Sequence, residues 1–415
     1  MSEHEVGRPL AGLWLVREVP YPEDCGERIY SANLIESVAA AGADLTVVGL
    51  AGEAPPPANS RAARWKVVGG GPRSIIRSLT STLPLVTARY ATRAYRKELR
   101  SLMTRQWDFV VLDHYATAWS LPMLDRLLDR FSACARVHVS HNVESQVARD
   151  LACQFSGGHL RQLALWLNYL KIQSLEQRIF DKVDLLCAIT DEDASAYRAK
   201  APHLPVLTLT PGYHGKTSDR MRIDHLTPRR ILMIGSYHWV PKQENLRLFL
   251  QVADPVLHAA GVELHVIGSL PPSLREELQA KTKSVKFLGF VEDLAPHLRD
   301  ARIAVVPELI GGGFKLKSLT YVFGRMPVVT LKEAAAGLPT DIRAHHVEVS
   351  RLDELAPAAL SIMDDFDALN AMQEAAYDAA RDQFEWRLRG QALTQEIRRI
   401  QALQQAKHRT RASGH

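Results

Sequence analysis

Short β-rich runs alternate with helix-patterned stretches along nearly the whole chain, and this alternation limits the fold more than any single motif does. Candidate strands in the first half are Leu13–Arg17, Leu45–Leu50, Phe109–Leu112, Val137–Ser140, Leu185–Ile189 and Val206–Leu209. The second half supplies Ile231–Ile234, Glu263–Ile267, Val285–Leu288, Ile303–Val306, Val328–Thr330 and His346–Val349. Strands separated by helices cannot pair through tight hairpins. They pair in parallel through right-handed crossovers, which makes the fold class α/β. A polar, turn-rich stretch opening with Pro211-Gly212-Tyr213-His214-Gly215 separates the two sets, so a linker is expected near residues 211–228. At 415 residues the chain is too long for one ordinary core and suits two Rossmann-like domains, with boundaries placed at 1–215 and 216–385. The tail after residue 404 is expected to be disordered.

Composition narrows the class. With 46% hydrophobic and 23% charged residues the chain reads as a soluble globular protein. No apolar run reaches the roughly 18–20 residues of a membrane span. The N-terminus has no basic segment followed by an apolar one, so no signal peptide is expected. Cys25, Cys134, Cys153 and Cys187 are scattered, without metal-ligand spacing or a disulfide framework, and a cytoplasmic location follows. The net charge of +5 is unevenly placed: residues 61–105 carry many arginines and lysines and a single acid, Glu98. Interleaved with Ile75, Ile76, Leu79, Leu83, Leu85 and Val86, this stretch reads as a basic amphipathic region. Such a region suits an anionic membrane or an acidic substrate, or is simply a solvated helix face. No nucleic-acid reader motif accompanies it, so nucleic acid is not an expected partner.

In open parallel sheets ligands bind beyond the carboxyl ends of the strands, so the loops there carry the candidate chemistry. The richest is in IAVVPELIGGGFKLKSLTYVFGRMPVVT, residues 303–330, where a strand runs into Gly311, Gly312 and Gly313 and then a helix bearing Lys315 and Lys317. Glycines admit an anion to backbone N–H groups, the helix start adds partial positive charge, and the lysines add whole charges. The same glycines also suit a plain tight turn. The strand ending at Ile234 leads into Gly235-Ser236 and on to Lys242, again next to a helix start. The backbone around Phe290, within Phe287–Val291, is placed to flank a nucleobase, while Asp293 suits a helix cap. In the first half, a proline-rich loop reaches Gly26 at the start of a helix. His141 follows the strand Val137–Ser140, where it is either a hydrogen-bonding or acid–base group or a structural cap. Asp191-Glu192-Asp193 reads as a helix N-terminus rather than a metal site. No nucleophile sits in an elbow motif.

Taken in order, these segments resemble the GT-B glycosyltransferases, specifically the retaining glycosyltransferase family 4. The resemblance runs from about residue 11 to 402 through PYPEDCGERIYSANLIESVAAAGADLTVVGL, SHNVES, LEQRIFDKVDLLCAITDED, GSYHWVPKQENL, HVIGS, VKFLGFVEDL and the glycine-rich segment. FEWRLRGQALTQEIRRI resembles the C-terminal helix that crosses back to the first domain, here residues 386–415 with a basic tail. The resemblance implies two Rossmann-like domains facing across a cleft and transfer of a sugar from a nucleotide-diphosphate donor, with anomeric configuration retained and no metal or other cofactor required. It implies acceptor binding in the first domain and donor binding in the second. The acceptor would be a sugar or a lipid-linked precursor of a polysaccharide or glycolipid, met at the inner membrane face through residues 61–105.

By position, His141 would contact the transferred sugar, and Lys242 and Lys317 the diphosphate. Gly26, Gly235, Ser236, Gly311, Gly312, Gly313, Phe314, Lys315, Leu316, Thr320 and Phe290 would line the donor. Ser236 replaces a common arginine, and the two glutamates that many members carry fall at Gly312 and Thr320. A threonine offers a ribose one oxygen where a carboxylate offers two, a loss of about 1–3 kcal/mol if nothing compensates. That departure keeps a second reading open, a GT-B-fold binding or scaffold protein without turnover. A GT-B sugar-nucleotide epimerase is a third, disfavoured by the motif order.

Overall fold

The computed structural model describes residues 8–61, 64–128, 134–155, 157–219, 222–309 and 314–413. The chain divides into two compact units, Met1–Thr210 with Trp386–His415, and Pro211–Glu385.

In the first unit, β1 (Leu10–Glu18), β2 (Ala43–Leu50), β3 (Arg64–Val68), β4 (Phe109–Asp113), β5 (Ala135–Ser140), β6 (Leu185–Ala188) and β7 (Val206–Thr208) form one sheet. Its order is β3-β2-β1-β4-β5-β6-β7, with every pairing parallel. β1 and β4 are central, and Leu13, Leu15, Val111 and Leu112 are fully buried, as expected for a sheet covered by helices on both faces.

One strand was not expected. β3 lies inside the stretch read as a basic amphipathic region, and its composition disguised it: Arg64 and Lys66 sit on an edge strand, where charge discourages pairing with another chain. Arg64 reaches back to Asp44 at 2.6 Å. The rest of that stretch is three separate short helices, Ile75–Leu79, Leu85–Tyr90 and Arg93–Leu102. Thr92 caps the last of these, which buries Tyr95, Leu99 and Leu102 and turns Arg93, Lys97 and Arg100 to solvent. Across Arg93–Leu102, then, the charge is a solvated helix face.

The first unit is closed by the helix Trp386–Ser413, which lies against the helix Gly26–Ala40. The two meet closely at Gly390, where a Cβ would stand 2.1 Å from the Ser37 carbonyl oxygen, so only glycine fits. Arg389 holds both the carbonyl and the hydroxyl of Thr210 at 2.8 Å, and the Gln401 amide donates to the Asp108 carbonyl at 2.7 Å. The helix is described through Ser413, past residue 404, after which the sequence led to the expectation of a disordered tail.

In the second unit, β8 (Arg230–Ile234), β9 (Glu263–Ile267), β10 (Val285–Gly289), β11 (Ile303–Val306), β12 (Val328–Leu331) and β13 (Val347–Val349) form a parallel sheet ordered β10-β9-β8-β11-β12-β13. The loops after β8 and β9 are stitched together: Gly235 N–H donates to Ile267 and Tyr237 N–H to Ser269. At Gly268, φ is +126° and a Cβ would collide with the Gly235 carbonyl, which explains the glycine.

In each sheet the strand order reverses once, between β1 and β4 in the first and between β8 and β11 in the second. Crossovers leave that point toward opposite faces, opening a crevice at the strands' carboxyl ends.

Candidate functional site

At the switch point of the first unit, β4 ends on Asp113, which is almost completely buried. Both carboxylate oxygens are engaged. Trp14 Nε1 of β1 donates to one at 3.0 Å, and His141 Nε2, just beyond β5, donates to the other at 2.7 Å. Burial disfavours the charged imidazole, but the hydrogen bond and charge of Asp113 outweigh it and raise the His141 pKa above its ordinary value. The imidazolium would keep Nδ1–H as a second donor. The rings of Tyr30 and His114 meet His141 edge-on.

His114 has φ +70°, a conformation uncommon for a residue with a side chain and frequent at functional turns. Its Nδ1 accepts the Ala116 N–H, and Nε2 lies 3.6 Å from Glu144. Burial drives the His114 pKa well down and lifts that of Glu144 to about 7. Beside them is a small pocket bordered by Arg17, Glu18, Glu27, Arg28, Asp113 and His114. Arg17 pairs with Glu27 at 3.0 Å, and Arg28 with Glu18, Asp24 and Glu53. A wall carrying both fixed donors and fixed acceptors suits a hydroxyl-rich ligand better than a purely anionic one.

At the switch point of the second unit, Glu308 stands two residues past the end of β11. It is buried and ion-paired with Lys317, itself only 10% exposed, on the helix Leu316–Phe323. Burial alone would push the Glu308 pKa up. Lys317, Lys315 and Lys242 together reverse this and hold it below the usual carboxylate value. Lys242 comes from the first turn of the helix Val240–Ala259, whose N-cap, Trp239, makes no side-chain cap. Three lysines from two helix starts thus converge electrostatically on one carboxylate. Among the described residues, Glu308 Oε2 and the buried Tyr237 hydroxyl have no hydrogen-bond partner.

The other expected site residues divide as follows. Gly311, Gly312 and Gly313 lie outside the described residues. Gly235 follows β8 under the Tyr237 ring, where a Cβ would come within 2.9 Å of the hydroxyl oxygen. Ser236 beside it is half-buried. Phe314 and Leu316 pack on an apolar cluster with Leu319, Phe323 and Phe384, so their side chains are committed to the core. Thr320 is half-buried midway along its helix, and Phe290, just past β10, is 69% exposed. Gly26 is the first residue of its helix. Thr190 caps the helix Asp191–Lys200 by accepting the Asp193 N–H, as the N-terminus reading required; Asp293 accepts the Ala295 N–H from one residue before the N-cap, which is Leu294. Among the described residues no cluster of three or more metal-ligating side chains occurs. Asp113, His114 and Glu308 were missed, although each lies at or just beyond the end of a strand, where the search was directed.

Residues 228–365, most of the second unit, match the family described as "Glycosyl transferases group 1". The second unit is similar to that family, and the chain has a GT-B fold. The GT-B likeness covers both units of the chain. WaaG, a glycosyltransferase involved in lipopolysaccharide biosynthesis, is similar with TM-score 0.64 and 16% identity over 92% of this chain and 98% of that one. The trehalose 6-phosphate synthase of Burkholderia multivorans has TM-score 0.64 and 14% identity over 97% and 99%. Alr3699/HepE of Anabaena, solved in complex with UDP-glucose, has TM-score 0.61 and 14% identity over 94% and 99%. Identities this low establish the fold alone. No curated protein matches the sequence significantly. No helix among the described residues is long and apolar enough to cross a membrane.

Proposed function

We propose that the protein transfers a sugar from a nucleotide-diphosphate donor to a hydroxyl acceptor, with retention of anomeric configuration and without a metal. The observation that carries this reading is the convergence of Lys242, Lys315 and Lys317 at the switch point of a group 1 glycosyltransferase domain. As the glycosidic bond breaks, negative charge builds on the departing diphosphate, and lysines already in place stabilise it without reorganising. His141, fixed by Asp113, orients the sugar, and the pocket beside Arg17 and Arg28 holds the acceptor. A UDP-sugar is the first donor to test, because Alr3699/HepE was solved with UDP-glucose.

The acceptor, in this reading, is lipid-linked and met at the cytoplasmic face of a membrane. The support is a set of exposed apolar side chains: Ile75, Ile76 and Leu79 on one helix, and Leu160, Leu163 and Leu170 on the helix His159–Phe180. The two regions are joined where Leu85 N–H donates to Asn168 and Lys171 donates to the Ser81 carbonyl. No acid occurs between Asp150 and Glu176, which suits an anionic surface.

Incubation with a panel of nucleotide sugars and membrane-lipid acceptors, with NDP release and the anomeric signal of the product followed by NMR, tests the proposal. NDP release with a retained anomer is expected. Tight binding without release would instead support the binding-protein reading that Thr320 leaves open.

A further inference from the structure

We propose that Glu308 is a built-in anion of the diphosphate site that weakens the hold on the product nucleoside diphosphate more than on the donor. This rests on the donor reading above.

The geometry sets two requirements. First, Glu308 is at the switch point, past the end of β11, and its carboxylate pairs with a lysine of the cluster assigned to the diphosphate. It therefore lies where ligand charge will act on it. Second, among the described residues its charge is held by cations. Lys317 and Lys315 face it from the helix Leu316–Phe323 and its N-cap, and Lys242 from the helix Val240–Ala259. Among the described residues, no neutral group donates to the free oxygen of Glu308. Asn245 accepts the Leu309 N–H at 3.1 Å, and the Tyr321 hydroxyl accepts the Ile234 N–H at 2.7 Å. The Tyr237 hydroxyl and Glu308 Oε2 each lack a partner among the described residues.

Counted formally, the three lysines that act on Glu308 and its own carboxylate sum to +2. A sugar-esterified diphosphate carries about two negative charges and the free product about three once its terminal phosphate has ionised. The cluster with Glu308 ionised therefore matches the donor and leaves the product with an excess of one. Repulsion from a fixed anion scales with ligand charge, so Glu308 acts more strongly against the product. A purely structural Glu308, serving only to hold Lys317, has the opposite consequence: removing it would loosen both ligands.

The test is calorimetric titration at pH 8 of wild-type protein and Glu308→Gln with UDP and UDP-glucose, and with ADP, GDP and their glucose esters if the uridine pair does not bind. Glu308→Met serves as the second uncharged variant should the first not fold, with thermal unfolding as the check. The expected result is that loss of the charge tightens UDP about tenfold and UDP-glucose by less, with stronger product inhibition in turnover. Unchanged or weaker UDP binding in a folded variant overturns the proposal. Failure of every nucleotide to bind wild-type protein overturns the donor reading instead.

Discussion

The two switch points place the same elements in different states of completion. In each, a central strand ends near a buried carboxylate that pairs with a cation from a neighbouring element: Asp113 with His141, and Glu308 with Lys317. Asp113 is saturated, with one oxygen on His141 and the other on Trp14. Glu308 has one oxygen engaged and the other without a partner among the described residues, beneath a surplus of positive charge. A saturated pair fixes a side chain, while an unsaturated one with net charge leaves binding capacity for a ligand. The first arrangement suits orientation of a reacting sugar and the second suits reception of an anion.

This contrast can be broken experimentally. Removing a charge that acts on the leaving group should have the largest effect: Lys317→Ala is expected to lower kcat/KM for the nucleotide sugar by about 10²–10³-fold in steady-state assays. An effect no larger than that of an exposed lysine would remove the second site from the chemistry. Asp113→Asn should act through His141, lowering kcat about ten- to a hundredfold while changing donor KM little, and moving the histidine limb of the pH–rate profile to lower pH. A fall confined to KM would mean that Asp113 contributes only binding.

The same pair predicts a stability signature. Because the His141 pKa is raised on folding, its contribution is complete below the unfolded value of about 6.5 and is lost as pH rises through the folded value. The melting-temperature gap between wild type and Asp113→Asn should therefore narrow as pH increases. Gly390→Ala, at the crossing of two helices, should cost about 1–3 kcal/mol in denaturant unfolding and leave nucleotide affinity untouched. The smallest expected effect is none: EDTA should leave turnover unchanged if lysines alone carry the leaving-group charge. Activity restored only by a divalent cation would contradict this.

Sequence periodicity reached the architecture because parallel strands buried on both faces are written as short apolar runs, which Leu13, Val111 and Val305 exemplify. β3 escaped because an edge strand need not be apolar, and Arg64 and Lys66 read as part of a charged region. At the site, lysines were legible because glycine and lysine near a helix start form a recognisable pattern. Glu308 and Asp113 were not, because a single acid beyond a strand is indistinguishable from a cap until its partners are known. His141 was named, but its partner is 28 residues away and comes from another strand. Only folding brings them together. The basic stretch 61–105 showed its charge but not its division among one strand and three helices.

The close crossing at Gly390 has a consequence for biosynthesis. The helix Trp386–Ser413 belongs to the first unit, yet it follows the whole of the second in the chain. On a ribosome, where domains generally fold as they emerge, the second unit can complete its core while the first still lacks a wall over the helix Gly26–Ala40. Tyr30, which meets Trp386 edge-on, marks the surface left waiting. The first unit is begun first and finished last, so the exposure of its unfinished face lasts as long as the synthesis of its neighbour.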